Sequence, residues 1–203
     1  MKIGNKLIVM IIALTLLGIS VLLGTILMSA QKQISSLTAS DLENLANNEA
    51  GSISLWLETH FGVARSLAHA MEAYEQIEPA QRRFFYNILL KQLTEVNPEI
   101  LGIWTCWPSG ALDGLDAQYA NTEGTDSTGR FIPYWFWTET GVELTPLVDY
   151  EISGSGDFYL IPLQTGKETI LEPYVYVIDG ADTLLTSLAV PIKKNGQVVG
   201  VAG

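Results

Sequence analysis

The N-terminal region is a long run of apolar residues without charge. Leu7 to Met28 contains only apolar and small neutral side chains. At about 1.5 Å of rise per residue, a helix over this segment would be roughly 33 Å long, which is enough to cross a bilayer. Lys2 and Lys6 precede the run, so the positive-inside rule places residues 1–6 in the cytoplasm and the chain after Met28 outside the membrane. A cleaved signal peptide is the alternative, although its apolar region is usually shorter, about 7–15 residues.

After the membrane segment, apolar residues recur at spacings near three, four and seven, which predicts one long helix over residues 29–78. The recurring positions are Ile34, Leu37, Leu42, Leu45, Ile53, Leu57, Phe61, Ala64, Ala68 and Met71. Ser40 followed by Asp41 suits the start of a fresh turn, so any kink is expected there. A helix this long needs partners for its apolar stripe. We expect the domain to fold back onto one part of it and a second copy of the chain to pack along another.

The next segments predict a short helix followed by a strand. Pro79 suits the first turn of a second helix, and Asn97 followed by Pro98 should end it. From Ile100 the pattern changes, and "ILGIWTCW" predicts a buried strand that ends in the turn 108–110.

The C-terminal segment, residues 169–203, predicts three strands. Their joints are Asp179–Gly180 and Asn195–Gly196, and Asn–Gly is the strongest short hairpin signal. Helices therefore precede antiparallel strands, so the predicted fold class is α+β with the helices segregated from the sheet.

Composition removes several function classes. Acidic residues outnumber basic ones, 22 to 11, which argues against a nucleic-acid partner. The single cysteine, Cys106, cannot form an internal disulfide, and with only two histidines a zinc site is not expected. We interpret Cys106 as a small buried hydrophobe. The sequence has no motif of a known catalytic class, so we predict no enzyme activity, no metal and no cofactor.

The region around Arg130 contains the candidate chemistry. A polar loop rich in Gly, Asp and Asn, residues 111–129, precedes "RFIPYW" and is a candidate functional loop. Tyr and Trp suit an apolar pocket that orients its guest through polar tips. Arg130 could bind a carboxylate and Asp116 an amine. The structural alternatives are core packing for the aromatic residues, an ion pair for Arg130, and a solvated loop for Asp113 and Asp116.

Three segments, "LDAQYANTEGTDSTGRFIPYW", "EPYVY" and "LLTSLAVPIKKNGQVVGVAG", resemble the extracytoplasmic double-Cache sensor domains of bacterial methyl-accepting chemotaxis proteins. The order of anchor, long helix, short helix and sheet is similar as well. The resemblance implies a long helix leading into two stacked PAS-like modules, of which the membrane-distal one binds a small molecule. It identifies residues 79–203 as that distal module, with the chain ending before the proximal one.

The resemblance also implies a set of ligand-binding residues. In amino-acid-binding members, an arginine followed closely by Trp-Tyr holds the ligand carboxylate, while tyrosines and an aspartate hold the amine. Arg130 matches the arginine, whereas Tyr134–Trp135 stands further along in reversed order, and Tyr176 occupies the place expected for an aspartate. The predicted site residues are Arg130, Trp104, Asp116, Tyr119, Tyr134, Trp135, Tyr159, Tyr174 and Asp182. The ligand class stays open between amino acid, amine and organic acid.

The implied function is small-molecule sensing by a transmembrane chemoreceptor in the inner membrane, with the sensor domain periplasmic or extracellular. The implied partners are a second copy through the long helix, and a cytoplasmic chemotaxis kinase and its adaptor through an output module. Two alternatives remain. The same sensor could serve a histidine kinase or diguanylate cyclase, or the chain could be a membrane-anchored structural domain without a small ligand.

Overall fold

A computed structural model describes residues 3–178 and 180–203. The chain divides into two units, Met1–Leu55 and Trp56–Gly203. Within the described residues, one helix is long and apolar enough to cross a membrane by length and composition, with a mean hydropathy of 2.5 in its most apolar window. Lys2, one of the two lysines that orient the predicted anchor, lies outside the described residues.

Four α-helices and one 3-10 helix are present in the described chain. The α-helices are α1 (Ile3–Met71), α2 (Pro79–Val96), α3 (Asp116–Tyr119) and α4 (Asp157–Thr165), and the 3-10 helix is Tyr74–Gln76. Pro79 occupies the first turn of α2, as the sequence predicts. Asn97 ends α2 by donating its backbone N–H to the Thr94 carbonyl and its side-chain amide to the Leu93 carbonyl.

The strands form two separate sheets, and all described pairs are antiparallel. They are β1 (Gly102–Cys106), β2 (Pro133–Thr138), β3 (Gly141–Pro146), β4 (Thr169–Ile170), β5 (Tyr174–Ile178), β6 (Ala181–Leu185), β7 (Leu188–Lys194) and β8 (Gln197–Ala202). The main sheet has the order β3-β2-β1-β8-β7-β4, and β5 and β6 form a hairpin of their own. The predicted α+β class is therefore confirmed.

The main sheet separates two buried layers. The first core packs α1 and α2 against one face, with Leu67, Met71 and Leu90 from the helices and Ile103 from β1. The second core covers the other face with α4 and the hairpin. Its members include Trp104, Cys106, Tyr134, Phe158, Tyr176 and Val201. Neighbouring residues of β1 contribute to opposite cores because side chains alternate along a strand.

The fold-back part of the α1 prediction is confirmed, but the helix ends earlier than expected. Ala64, Ala68 and Met71 of the predicted stripe are buried in the first core, whereas Ile34 to Ile53 belong to the other unit and their stripe residues are exposed. The chain is helical through Ser40 and Asp41. The helix ends at Met71 rather than residue 78, because Tyr74 turns into the core through the 3-10 helix.

The three-strand prediction for residues 169–203 is wrong. The segment forms β4 to β8, because the chain leaves the sheet at β5, turns back through β6, and rejoins the sheet at β7. The Asn195–Gly196 hairpin is confirmed, and both residues have positive φ, 51° and 80°. At the other predicted joint, Asp179–Gly180, Ile178 pairs with Ala181 across the turn. Asp179 itself lies outside the described residues.

The polar loop before Arg130 is packed rather than solvated at Asp113 and Asp116. Arg83 of α2 donates to Asp113 at 2.7 Å and to Asp116 at 2.7 Å, and the Asp113 side chain is fully buried. The Arg83 guanidinium also lies over the Tyr119 ring and donates to the Gly129 carbonyl. A buried charge is tolerated only when it is paired and hydrogen-bonded, so this cluster anchors the loop to α2.

Because the loop is closely packed, we expect alanine to destabilise the protein more at one glycine than at another with nearly the same φ. Gly129 and Gly110 have φ of 70° and 69°. An added Cβ at Gly129 would lie 1.9 Å from the Asp116 carbonyl oxygen, whereas nothing lies within 4 Å of a Cβ at Gly110. Both Ala variants strain the backbone by about 1–2 kcal/mol. Gly129→Ala should cost roughly 2 kcal/mol more because it also overpacks the loop.

Denaturant unfolding followed by circular dichroism measures the difference, with Gly110→Ala as the matched control. Equal losses of stability in the two variants would contradict the close packing of Gly129 against Asp116.

Candidate functional site

A cavity of about 300 Å³ lies at one end of the main sheet within the second unit. Its walls come from α1, the segment that leads into β1, strands β1 and β2, helix α4, and the hairpin with the turn that follows it. The lining residues include Trp56, His60, Glu99, Trp104, Tyr134, Phe158, Tyr174, Tyr176 and Ser187. The size is at the lower end of ordinary small-molecule sites.

Aromatic rings form much of the wall, in edge-to-face contacts. The Trp104 and Phe158 rings are 5.1 Å apart, and the Phe158 and Tyr176 rings 5.5 Å. Two glycines make room for these rings. A Cβ at Gly102 would lie 2.5 Å from the Tyr134 ring, and one at Gly203 would lie 2.4 Å from the Trp104 ring. The rings therefore lie across bare backbone, and a side chain at either glycine would displace the cavity wall.

Few polar groups face this apolar cavity. The Tyr174 and Ser187 hydroxyls are 2.8 Å apart. Burial raises the pKa of Tyr134 and of Tyr174, so both are neutral at ordinary pH. Within the described chain, the Tyr134 hydroxyl has no hydrogen-bond partner. Glu99 is the one Asp, Glu, Lys or Arg among the described lining residues.

The hairpin closes the cavity without joining the main sheet, and tyrosine hydroxyls attach it. The Tyr176 hydroxyl donates to the Val148 carbonyl at 3.1 Å and accepts from the Val148 N–H at 2.8 Å. Because β5 and β6 share no ladder with the sheet, these contacts and the packing of buried rings hold the hairpin in place.

Arg130 lies outside the cavity lining and has partners of its own. Its Nε donates to the Trp107 carbonyl at 2.9 Å, one terminal nitrogen donates to the Tyr159 hydroxyl at 3.0 Å, and the other pairs with Glu151. The guanidinium also lies 4.6 Å from the centre of the Tyr150 ring. This arrangement corresponds to the structural alternative for Arg130. Its contact with a ligand carboxylate stays a prediction.

The remaining predicted residues are spread over the domain. Asp116 and Tyr119 surround Arg83 in the loop cluster. Trp135 donates its indole N–H to Asn87 on α2. Asp182 is exposed on β6. Of the nine predicted residues, the structure thus brings Trp104, Tyr134 and Tyr174 together at the cavity, joins Arg130 to Tyr159, and separates the others from both groups.

The sequence interpretation missed Trp56, His60, Glu99 and Ser187. Trp56 and His60 stand four residues apart, so they share one face of α1, and their rings are 4.1 Å apart. This spacing is the signal that could have found them. Nothing in the sequence near Glu99 or Ser187 marks them, because only the tertiary fold brings them to the cavity.

Part of the chain is similar to a known family of sensor domains. Residues 109–203 match the family model of the first PDC sensor domain of methyl-accepting-chemotaxis-protein-like proteins. The chain is 29% identical over 146 residues to the methyl-accepting chemotaxis protein TlpQ of Pseudomonas aeruginosa, which covers 62% of this chain and 20% of TlpQ. This part of the chain is therefore similar to PDC sensor domains.

Two solved structures are also similar to this chain. The extracellular domain of the histidine kinase mmHK1S-Z3 superposes with a TM-score of 0.66 at 32% identity, covering 75% of this chain and 52% of that one. Methyl-accepting chemotaxis protein X superposes with a TM-score of 0.55 at 25% identity, covering 80% of this chain and 62% of that one. The chain thus spans a fifth of TlpQ and a half to three fifths of these solved domains.

The expected resemblance to Cache-type sensors is therefore confirmed. Together with the apolar N-terminal helix, it indicates a membrane protein with an extracellular domain. The hairpin and α1 both contribute to the wall of the cavity at the end of the main sheet.

The contacts of Arg130 predict a large loss of stability in Arg130→Ala and a small loss in Glu151→Ala. Arg130→Ala removes a guanidinium that is 6% exposed and leaves the Tyr159 hydroxyl and the Trp107 carbonyl without it. We expect the free energy of unfolding to fall by roughly 3 kcal/mol or more. Glu151→Ala should cost less than about 1 kcal/mol, because the Glu151 side chain is 65% exposed and solvent screens the pair.

Urea unfolding of both variants checks this prediction. An Arg130→Ala variant with wild-type stability would show that the guanidinium is not needed by the fold and would favour its role in ligand binding.

Proposed function

We propose that this chain is the extracytoplasmic sensing region of a chemoreceptor and that its cavity binds a small organic cation. The observation that carries the ligand class is the composition of the wall. Aromatic rings and Glu99 line the cavity, and the described lining residues include no lysine or arginine.

The physical basis is the attraction between a cation and the faces of aromatic rings. An ammonium group gains up to about 2 kcal/mol from such a ring when it leaves water, and Trp is the best partner. A carboxylate such as Glu99 adds Coulomb attraction, which is stronger near a low-dielectric wall than in bulk water. A free anion would meet Glu99 without a compensating cation in the wall. Of the open ligand classes, an amine or quaternary ammonium compound therefore fits best.

The relatives support the receptor assignment. The family model is that of chemotaxis-protein sensor domains, and both TlpQ and methyl-accepting chemotaxis protein X are methyl-accepting chemotaxis proteins. We assign residues 1–6 to the cytoplasm, 7–28 to a span of the inner membrane, 29–78 to the long extracytoplasmic segment, and 79–203 to the membrane-distal module. A cytoplasmic chemotaxis kinase and its adaptor would receive the signal through an output module.

Signalling in this proposal requires two states of the domain. A ligand shifts their equilibrium only by the difference in its affinity for the two. The hairpin is the element suited to such a change, since its attachment rests on tyrosine hydroxyls and side-chain packing. Closure of the hairpin over a bound cation would stabilise one packing of the sheet face.

Ligand binding is tested by thermal unfolding of the chain in lipid nanodiscs. The panel contains alkyl amines from ethylamine to hexylamine, 1,4-diaminobutane, 2-phenylethylamine, their trimethylated counterparts, amino acids and the matching carboxylates. We expect cations, and not carboxylates, to raise the melting temperature. Glu99→Gln should weaken cation binding roughly five- to tenfold because it removes the wall's charge.

Glu95→Gln is the control, since Glu95 lies on α2 outside the cavity lining. Stabilisation by carboxylates alone would contradict the proposed ligand class. Stabilisation by no compound at millimolar concentration would favour a structural domain without a ligand.

We also propose that the receptor is a homodimer through the long helix, whose stripe at Ile34, Leu37, Leu42, Leu45 and Ile53 is exposed in the single chain. Leu45→Cys should form an intermolecular disulfide under mild oxidation. Asn47→Cys, about 200° further round the helix, should form much less. The native Cys106 does not interfere, because it is buried and burial raises the pKa of its thiol. Non-reducing electrophoresis measures the product, and equal cross-linking at both positions would contradict this interface.

A second candidate output is a histidine kinase. It is favoured by the 32% identity to the extracellular domain of mmHK1S-Z3, which exceeds the 29% identity to TlpQ. Incubating the full-length natural protein with radiolabelled ATP distinguishes the two. Autophosphorylation on histidine would assign the sensor to a kinase, and its absence together with adaptor binding would assign it to a chemoreceptor.

A further inference from the structure

His60 of α1 has an unusual position in the cavity wall. The residue is 9% exposed and its Nε2 is buried. Its Nδ1 lies 2.6 Å from the Trp56 carbonyl oxygen. A carbonyl oxygen only accepts hydrogen bonds, so Nδ1 carries a proton, and in the neutral ring the lone pair is on Nε2.

No described residue makes a hydrogen bond to this Nε2. The nearest charged atom is Oε1 of Glu99, 3.8 Å away, which is too far for a hydrogen bond. Buried polar atoms are nearly always satisfied, and each exception needs an explanation. With the ring neutral, two acceptors face each other at the cavity wall without a donor between them.

From this geometry, and resting on the proposed function above, we propose that the ligand's ammonium group inserts between His60 and Glu99. One ammonium N–H donates to Nε2 of His60 and a second donates to the Glu99 carboxylate. An ammonium has several donors and no acceptor, so it satisfies both acceptors at once. The aromatic rings of the wall then surround the rest of the cation.

Insertion requires a small movement. With hydrogen bonds of about 2.8 Å and a tetrahedral angle at nitrogen, the two acceptor atoms would stand about 4.6 Å apart. In this structure Oε1 of Glu99 lies only 3.8 Å from Nε2 of His60. The Glu99 side chain is 52% exposed and is free to turn away from the ring. The ammonium therefore acts as a wedge between α1 and the segment that leads into β1.

The long helix α1 contributes directly to the cavity wall. Trp56 and His60 both line the cavity and belong to α1, whereas the other aromatic residues of the wall belong to the sheet, α4 and the hairpin. The bound cation would thus touch α1 directly, and occupancy would reach that helix without first repacking the sheet.

The test uses the same chain in nanodiscs and matched probes, each primary amine of the panel and its trimethylated counterpart. The trimethylated probe keeps the charge but has no N–H. Isothermal titration calorimetry gives the ratio of the two dissociation constants. His60→Phe keeps a ring against Trp56 and removes Nε2. We expect it to weaken primary-amine binding about tenfold and to change trimethylated-probe binding less than twofold.

Two further variants separate the roles. Glu99→Gln should weaken both kinds of probe by the same factor, because it changes the charge and keeps an acceptor. His69→Phe, the exposed histidine at the end of α1, should change neither.

The proposal is overturned if His60→Phe leaves the ratio of the two constants at its wild-type value while both probes still bind. That outcome would not contradict the proposal that the cavity binds cations. If no amine of either kind binds the wild-type chain, the proposed ligand class fails and this inference fails with it.

Discussion

The alternation of side chains along β1 is the constraint on which the rest of the domain depends. Ile103 packs toward α1 and α2, and Trp104 packs toward α4 and the hairpin. Since β1 lies between β2 and β8 in the sheet, it takes part in both layers. A slip of one residue in its register would exchange the two faces, placing Trp104 among the helices. The same alternation therefore orders the first core and lines the cavity.

Tyrosines combine burial with hydrogen bonding on the cavity side. An apolar core of leucine and valine would exclude water equally well, but it could not attach a hairpin that lies outside the sheet. Tyr176 does both, since its ring packs against Phe158 and its hydroxyl bonds both backbone groups of Val148. Burial of the ring raises the pKa of this hydroxyl, so it retains its proton and continues to donate.

Local features of the fold were predictable from the sequence, and long-range ones were not. The Asn195–Gly196 turn, the start of α2 at Pro79 and the buried strand at β1 depend on neighbouring residues. The departure of β5 and β6 from the sheet depends on tertiary contacts such as that of Tyr176 with Val148, so no periodicity revealed it. The same holds for the candidate site, where the sequence predicted Trp104, Tyr134 and Tyr174 of the aromatic wall. The partners of Arg130 and the approach of His60 to Glu99 required the folded chain.

The tryptophans of the wall give the cavity an optical property. Trp104 lies in the cavity wall, and Trp56 also lines the cavity but is half exposed, with its ring centre 4.1 Å from that of His60. Indole emission responds to the polarity around the ring and to a charge placed over its face, and an inserted molecule changes both. The other tryptophans are held away from this space: Trp107, for example, is fully buried and donates its indole N–H to Thr105. The fluorescence of the unlabelled chain therefore contains a component that reports directly on occupancy of the cavity.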